Sequence, residues 1–125
     1  MFEGCVNLEE APELPATNLD NVGNPYQRMF QMSRTTSVTA KMTKSPILRA
    51  KTLTTNAYKY MFQGNASLVE VTCLAETWLT GTYGSFSDWL KDTSATGTFR
   101  KAVGVTLPSG TSGIPSGWTV VDYTE

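Results

Sequence analysis

The sequence predicts an α/β repeat solenoid, with short parallel strands along one side, short helices or 3₁₀ turns along the other, and a small β segment closing the C-terminal end. Three observations predict it. The dipeptide Met-Phe returns at Met1-Phe2, Met29-Phe30 and Met61-Phe62, at intervals of 28 and 32 residues, which suits stacked coils. Tyr26 and Tyr58 precede the second and third of these pairs at the same offset. The surrounding segments also match: MFEGCVNLEE and MFQGNASLVE share Met, Phe, Gly, Leu and Glu, while APELPATNL and SPILRAKTL share Pro, Leu, Ala and Leu.

The helical elements follow from spacing. Tyr26, Met29 and Phe30, then Tyr58, Met61 and Phe62, stand at i, i+3 and i+4, which lines up side chains on one face of a helix. Phe86, Trp89 and Leu90 repeat the pattern, with Ser85 as a candidate N-cap. Their aromatic faces, together with Phe2, are expected in the core, where no cofactor is needed to explain them.

Strands are expected after each Met-Phe and its polar turn. Taking Leu8, Met42 and Leu68 as first residues places Leu14, Leu48 and Leu74 six positions later, an even step that keeps them on one inward face. Pro12 and Pro46 then fall at the segment's end, where a proline stops a ladder without removing an internal hydrogen bond. Phe30 to Pro46 is about six residues longer than Phe2 to Pro12, so an insertion within 34–41 is expected to bulge as a solvated loop.

From Thr93 onward the chain becomes rich in Gly, Ser and Thr, with Pro108 and Pro115 as breaks. Two strand candidates, Thr98 to Lys101 and Trp118 to Tyr123, bring Phe99, Trp118, Val120 and Tyr123 to cover the open end of a stack. The expected organisation is about three coils over residues 1–92 and a C-terminal cap over 93–125. The first strand, around Leu8, is expected to present an open edge to another copy, to upstream repeats or to a partner protein.

Composition narrows the function. At 125 residues the chain makes one domain, and 10 basic against 11 acidic residues demand no nucleic-acid partner. No apolar run approaches the roughly 20 residues of a membrane span, and no export signal is recognisable. The chain has no histidine, which removes the commonest general base and the usual metal ligand. Glu70, Glu76 and Asp88 are carboxylates of the type a glycosidase needs, but no spacing singles out a pair. The expectation is a non-enzymatic protein with no metal and no cofactor.

Cys5 and Cys73 are too far apart for a CxxC motif. Placed in the first and third coils, they would sit about two strand spacings apart, roughly 10 Å, beyond the ~7 Å that a disulfide allows. Both are expected to be free thiols. Asn65-Ala66-Ser67 fits a glycosylation sequon and reads here as a turn.

The candidate binding residues come from charge and aromatic placement. The strand register stacks Glu10, Lys44 and Glu70 in one column of alternating sign, with about 0.2 to 1 kcal/mol expected per cross-strand pair. The first twenty residues carry only acidic charges, whereas Arg28 through Lys59 carry seven basic residues and no acid. That asymmetry fits either compensation between adjacent coils or a patch for an acidic glycan. Trp78, Tyr83 and Trp89 fit either a core or a platform for sugar stacking. Glu10, Lys44, Glu70, Trp78 and Tyr83 are the candidate binding residues.

The first coil MFEGCVNLEEAPELPATNL, the Tyr-x-x-Met-Phe repeats and the closing segments GTFRKAVGV and GIPSGWTVVDY together resemble the BspA-like leucine-rich repeats of Bacteroidetes surface proteins. The resemblance covers nearly the whole chain; Ser33 and Arg49 depart from it in the middle coil. It implies a right-handed leucine-rich-repeat solenoid at the cell surface or outside the cell, part of a larger protein, with adhesion to a protein or glycan as its role. The alternative expectation is a structural or receptor-binding component of a phage virion or surface assembly, joined through the open N-terminal edge as an oligomer.

Overall fold

A computed structural model describes Leu14 and residues 26–31, 41–80, 84–110 and 112–124. Expectations that rest on Phe2, Cys5, Leu8, Glu10, Pro12 and Tyr83, on the insertion up to residue 40, and on the N-terminal edge lie outside these residues.

The described chain is a parallel β-solenoid. Four strands, β1 (Lys44–Leu48), β2 (Glu70–Cys73), β3 (Gly97–Lys101) and β4 (Trp118–Asp122), form one sheet in sequence order. All three pairings are parallel. The pairings Lys44 to Glu70, Glu70 to Thr98 and Gly97 to Trp118 give successive coils of 26, 28 and 21 residues. β3 and β4 therefore continue the sheet begun by β1 and β2, with Phe99 following Val71 in the inward row.

The side opposite the sheet carries no helix among the described residues. Where helices are expected, residues 26–30, 56–64 and 86–92 form runs of reverse turns stacked coil upon coil. Alternate amides divide the hydrogen bonding between two tasks. Lys59, Met61, Gln63 and Asn65 donate to the carbonyls of Asn56, Tyr58, Tyr60 and Phe62, each closing a turn three residues back. Tyr58, Tyr60, Phe62 and Gly64 instead donate to Ser85, Ser87, Trp89 and Lys91 of the next coil, at 2.8 to 3.0 Å. Tyr26, Arg28 and Phe30 reach Ala57, Lys59 and Met61 in the same way. An isolated helix would bond only to itself, whereas here each coil's backbone is completed by its neighbour.

This ribbon has a four-residue period. Asn56 and Tyr60, like Asp88 and Asp92, have positive φ between 49° and 61°, and Arg28, Tyr60 and Asp88 stack in one column of such residues. Asn and Asp tolerate this left-handed conformation better than most side chains; Gly64 takes it at the place corresponding to Asp92. A period of four places i, i+3 and i+4 on the inner face, so the spacing that suggested a helix fits the ribbon equally well. Ser85 is accordingly no N-cap. Its hydroxyl donates to Thr54 O at 2.8 Å and accepts from Leu79 N at 3.1 Å, tying two coils together.

The core is a set of ring columns running along the stack. Tyr26 lies over Tyr58 with centroids 6.0 Å apart and planes at 14°, and Phe30 lies over Phe62 at 5.6 Å and 4°. Phe86 and Trp89 then continue beneath Tyr58 and Phe62, and Trp89 meets Phe99 edge-on at 5.9 Å. Met29, Met61, Leu48, Leu53, Leu68 and Leu90 belong to the same buried cluster as the rings, and Leu14 is buried with them.

The strand register slips once. Leu48 pairs with Cys73 and not with Leu74, because β1 carries one extra residue between Lys44 and Ile47. Pro46 is the physical reason: it stands inside β1, not at its end, and it has no N–H for the ladder. The Ser45 hydroxyl fills the gap by accepting from Thr72 N at 3.1 Å and donating to Pro46 O at 2.8 Å. Cys73 is consequently sealed in the core, and Leu74 is half-buried.

The C-terminal turn closes over a glycine. A Cβ on Gly97 would sit 2.8 Å from the Trp118 ring and 2.7 Å from Val69 O, so only glycine lets that indole lie against the β3 backbone. The Trp118 indole N–H donates to Ser94 O at 2.8 Å, which fixes the ring there.

Candidate functional site

Among the described residues, a groove of about 270 Å³ lies between two loops. Its first wall is Trp78, Leu79 and Thr80, which follow the isolated bridge between Thr52 and Thr77. Ser85 anchors that wall through its paired bonds with Leu79, N–H to carbonyl at 3.0 Å and hydroxyl to N–H at 3.1 Å. Phe86 and Ser87 form the floor, with the Trp78 and Phe86 ring centroids 5.8 Å apart.

The second wall is Pro108, Ser109 and Ser112. It belongs to a tight loop in which Ile114 N donates to Pro108 O and Gly110 N to Ile114 O, both at 2.8 Å. A Cβ on Gly113 would fall 2.0 Å from Pro108 O, so this loop closes only with glycine at that place. Two bonds hold the loop to the ribbon. The Ser112 hydroxyl accepts from Asp88 N at 3.1 Å, and the Trp89 indole donates to Gly113 O at 2.7 Å. In the preceding coils the column of Asp88 ends on a backbone carbonyl; here a serine side chain takes that place.

The sequence-derived binding residues fall into separate regions. Trp78 is half-buried and lines the groove, while Tyr83 and Glu10 lie outside the described residues. Lys44 and Glu70 pair across β1 and β2 as the register required. Glu70 is held chiefly by a residue that the strand alignment did not include: Arg100 Nε lies 2.8 Å from its carboxylate, against 3.9 Å for Lys44 Nζ. Arg100→Gln should therefore lower stability by about 0.5 to 1 kcal/mol, and Lys44→Gln by close to nothing, in urea titrations of the two variants. Equal losses would argue against this arrangement.

Other singled-out residues have structural places. Trp89 is fully buried and offers no face to a ligand. Asn65 is fully buried, so the sequon cannot be reached in the folded chain. Glu76 faces Lys51 at 3.6 Å, and Glu70 is occupied by Arg100, so these carboxylates are separately engaged. No cluster of three or more metal-ligating side chains occurs among the described residues, and no helix there is long and apolar enough to cross a membrane.

Cys73 is a free, buried thiol whose pKa burial pushes up to about 12. Unfolded, it ionises near its ordinary value of 9.0; folded, it keeps its proton. Stability is thus full below pH about 9 and declines toward 12, by about 1.4 kcal/mol per pH unit from this group. Burial also raises the Tyr58 hydroxyl well above its ordinary 10.0, which adds to the decline. Urea midpoints of a Cys73→Ala chain should fall less steeply above pH 9 than those of the parent. Parallel curves would show that the thiol ionises in the folded state.

The chain matches no protein-family model, and no curated protein or solved structure is similar enough to it to count as a match. The class that fold and groove define is a parallel repeat solenoid with a small concave site near one end.

Proposed function

We propose that this protein is a non-catalytic recognition module of the BspA-like leucine-rich-repeat kind, which acts at the cell surface or outside the cell by binding a protein or glycan. The groove between Trp78–Thr80 and Pro108–Ser112 carries this reading, since it puts a half-buried indole and several hydroxyls in one concavity. Its walls are fixed by Ser85, Trp89 and Ser112, so the site is pre-formed and a ligand need not order it. The inward leucines Leu48, Leu53 and Leu68 and the tandem parallel coils agree with the leucine-rich resemblance.

Hydrogen exchange of the whole chain against protein and glycan panels tests the proposal. Slowed exchange in 78–87 and 107–113 on binding is the expected result. Protection confined to the outer face of β1 and β2 would move the site to the Lys44, Glu70 and Arg100 charges, and no protection by any member of either panel would defeat the proposal.

A second reading is assembly of copies or subunits, expected at the N-terminal edge, which lies outside the described residues; one observation at the opposite end of the sheet favours assembly. Val120 continues the row of Val71 and Phe99 at the end of the sheet and is 43% exposed. Light scattering on eluting protein separates the two: a fixed oligomer that Val120→Lys dissociates supports assembly, and a monomer supports the ligand-binding module.

A further inference from the structure

We infer that the groove is a subsite for one uncharged sugar ring, stacked on Trp78 and hydrogen-bonded by the serine and threonine hydroxyls around it. The inference rests on the recognition reading above and names its ligand chemistry.

Charge comes first. None of the groove's described lining residues is ionisable. A charged ligand group seated there would lose hydration with no opposite charge to replace it. The basic residues Arg28 and Lys59 that could attract an anion gather instead around the Tyr60 ring, each 5.1 Å from its centroid, on the turn ribbon.

The remaining chemistry is divided in the way a sugar ring is divided. The Trp78 ring supplies a flat apolar surface for the C–H face of a pyranose, with the Phe86 ring alongside at a tilt of 54°. Thr80, Ser87, Ser109 and Ser112 surround that surface with hydroxyls. Their existing bonds leave complementary capacity. Ser87 donates its hydrogen to Gly84 O at 3.1 Å and keeps its lone pairs, while Ser112 accepts from Asp88 N and keeps its hydrogen to donate. A ligand hydroxyl, which both donates and accepts, satisfies both; an aliphatic side chain satisfies neither. Size agrees, since about 270 Å³ lies just under the ~300 to 1,000 Å³ range of sites for drug-sized ligands, enough for one ring and not for a chain.

Saturation-transfer NMR of the whole chain with methyl glycosides of neutral hexoses and N-acetylhexosamines tests this directly. Transfer to the ring C–H protons is expected, with affinity unchanged between low and high salt. Trp78→Ala should weaken binding at least tenfold and Trp78→Phe much less. Because Trp78 touches Phe86, Ser109→Phe serves as a second variant: it fills the groove from an exposed position and should also abolish transfer.

Three outcomes would overturn the sugar assignment. They are no transfer from any neutral glycoside, transfer that survives both variants, and binding that salt removes. A panel of apolar peptides run on the same samples separates this failure from that of the parent reading. Peptide binding lost in both variants would keep the groove as a recognition site and reject the sugar; no binding of either kind would reject both.

Discussion

Trp89→Ala should remove a large part of the protein's stability, about 4 to 8 kcal/mol, seen as a urea midpoint moved well toward zero denaturant. Trp89 is fully buried and touches rings from three parts of the stack: Tyr58 at 6.0 Å and Phe62 at 6.2 Å in the coil before, Phe86 at 4.6 Å in its own, and Phe99 at 5.9 Å on β3. Truncating a buried tryptophan costs about 3 to 5 kcal/mol for the cavity and lost transfer energy. The indole also donates to Gly113 O, and leaving a carbonyl unpaired costs about 1 to 3 kcal/mol more where water cannot reach it. Against a typical total of about 5 to 15 kcal/mol, that sum is roughly half in the middle of both ranges and more in a less stable fold. Trp89→Phe keeps part of the ring contacts but loses the donor and leaves a smaller cavity, so it should cost less, about 2 to 4 kcal/mol. If Trp89→Ala unfolds at the parent midpoint, the coils do not depend on this ring.

The same residue shows what the sequence discloses. Phe86, Trp89 and Leu90 align with Tyr58, Met61 and Phe62 because core positions in stacked coils keep their character at fixed offsets, and the ring columns of Tyr26 with Tyr58 and Phe30 with Phe62 follow from that alignment. The backbone conformation beneath them does not follow. A helix with 3.6 residues per turn and a turn ribbon with four differ by less than half a residue over one turn, so Tyr58, Met61 and Phe62 look alike in both. The deciding information is the positive φ at Tyr60 and Arg28, residues with no special preference for it.

Register was legible up to the proline. Lys44 and Glu70 pair as the alignment required, but Pro46 forces an extra residue into β1, and from there Cys73 takes the buried place that even spacing assigned to Leu74. The groove was legible on one side only. Trp78 is a recognisable binding residue by type, whereas the opposite wall is built from Pro108, Ser109 and Ser112, small residues whose placement depends on Gly113 approaching Pro108 O. The glycines at 110 and 113 were the available signal for that turn.

Asn65→Asp, a change of one atom, should cost about 3 to 5 kcal/mol at neutral pH, and the cost should shrink in acid. The Asn65 amide is fully buried, and its Nδ2 donates to Phe30 O at 2.7 Å and to Phe62 O at 2.9 Å, joining two coils through one side chain. Its Oδ1 has no hydrogen-bond partner among the described residues, so all of the side chain's bonding runs through the nitrogen. In the aspartate an oxygen replaces that nitrogen, bringing a negative charge against two carbonyl oxygens with no cation among the described residues bonded to it. An uncompensated buried charge of this kind costs about 3 to 5 kcal/mol. The folded protein lowers that cost by holding a proton on the carboxyl, which raises its pKa above the ordinary value of about 3.9. Below that value both states are protonated and the acid can still donate one hydrogen bond, so the variant is nearest to the parent there. As pH rises through the raised folded value, the unfolded chain has already released its proton and stability is lost. Urea midpoints at pH 4 and pH 7.5 should therefore diverge for Asn65→Asp relative to the parent, while Asn65→Leu, with nothing to ionise, should show a constant gap. A pH-independent gap for the aspartate would mean that water reaches position 65 and that the two coils are not joined there.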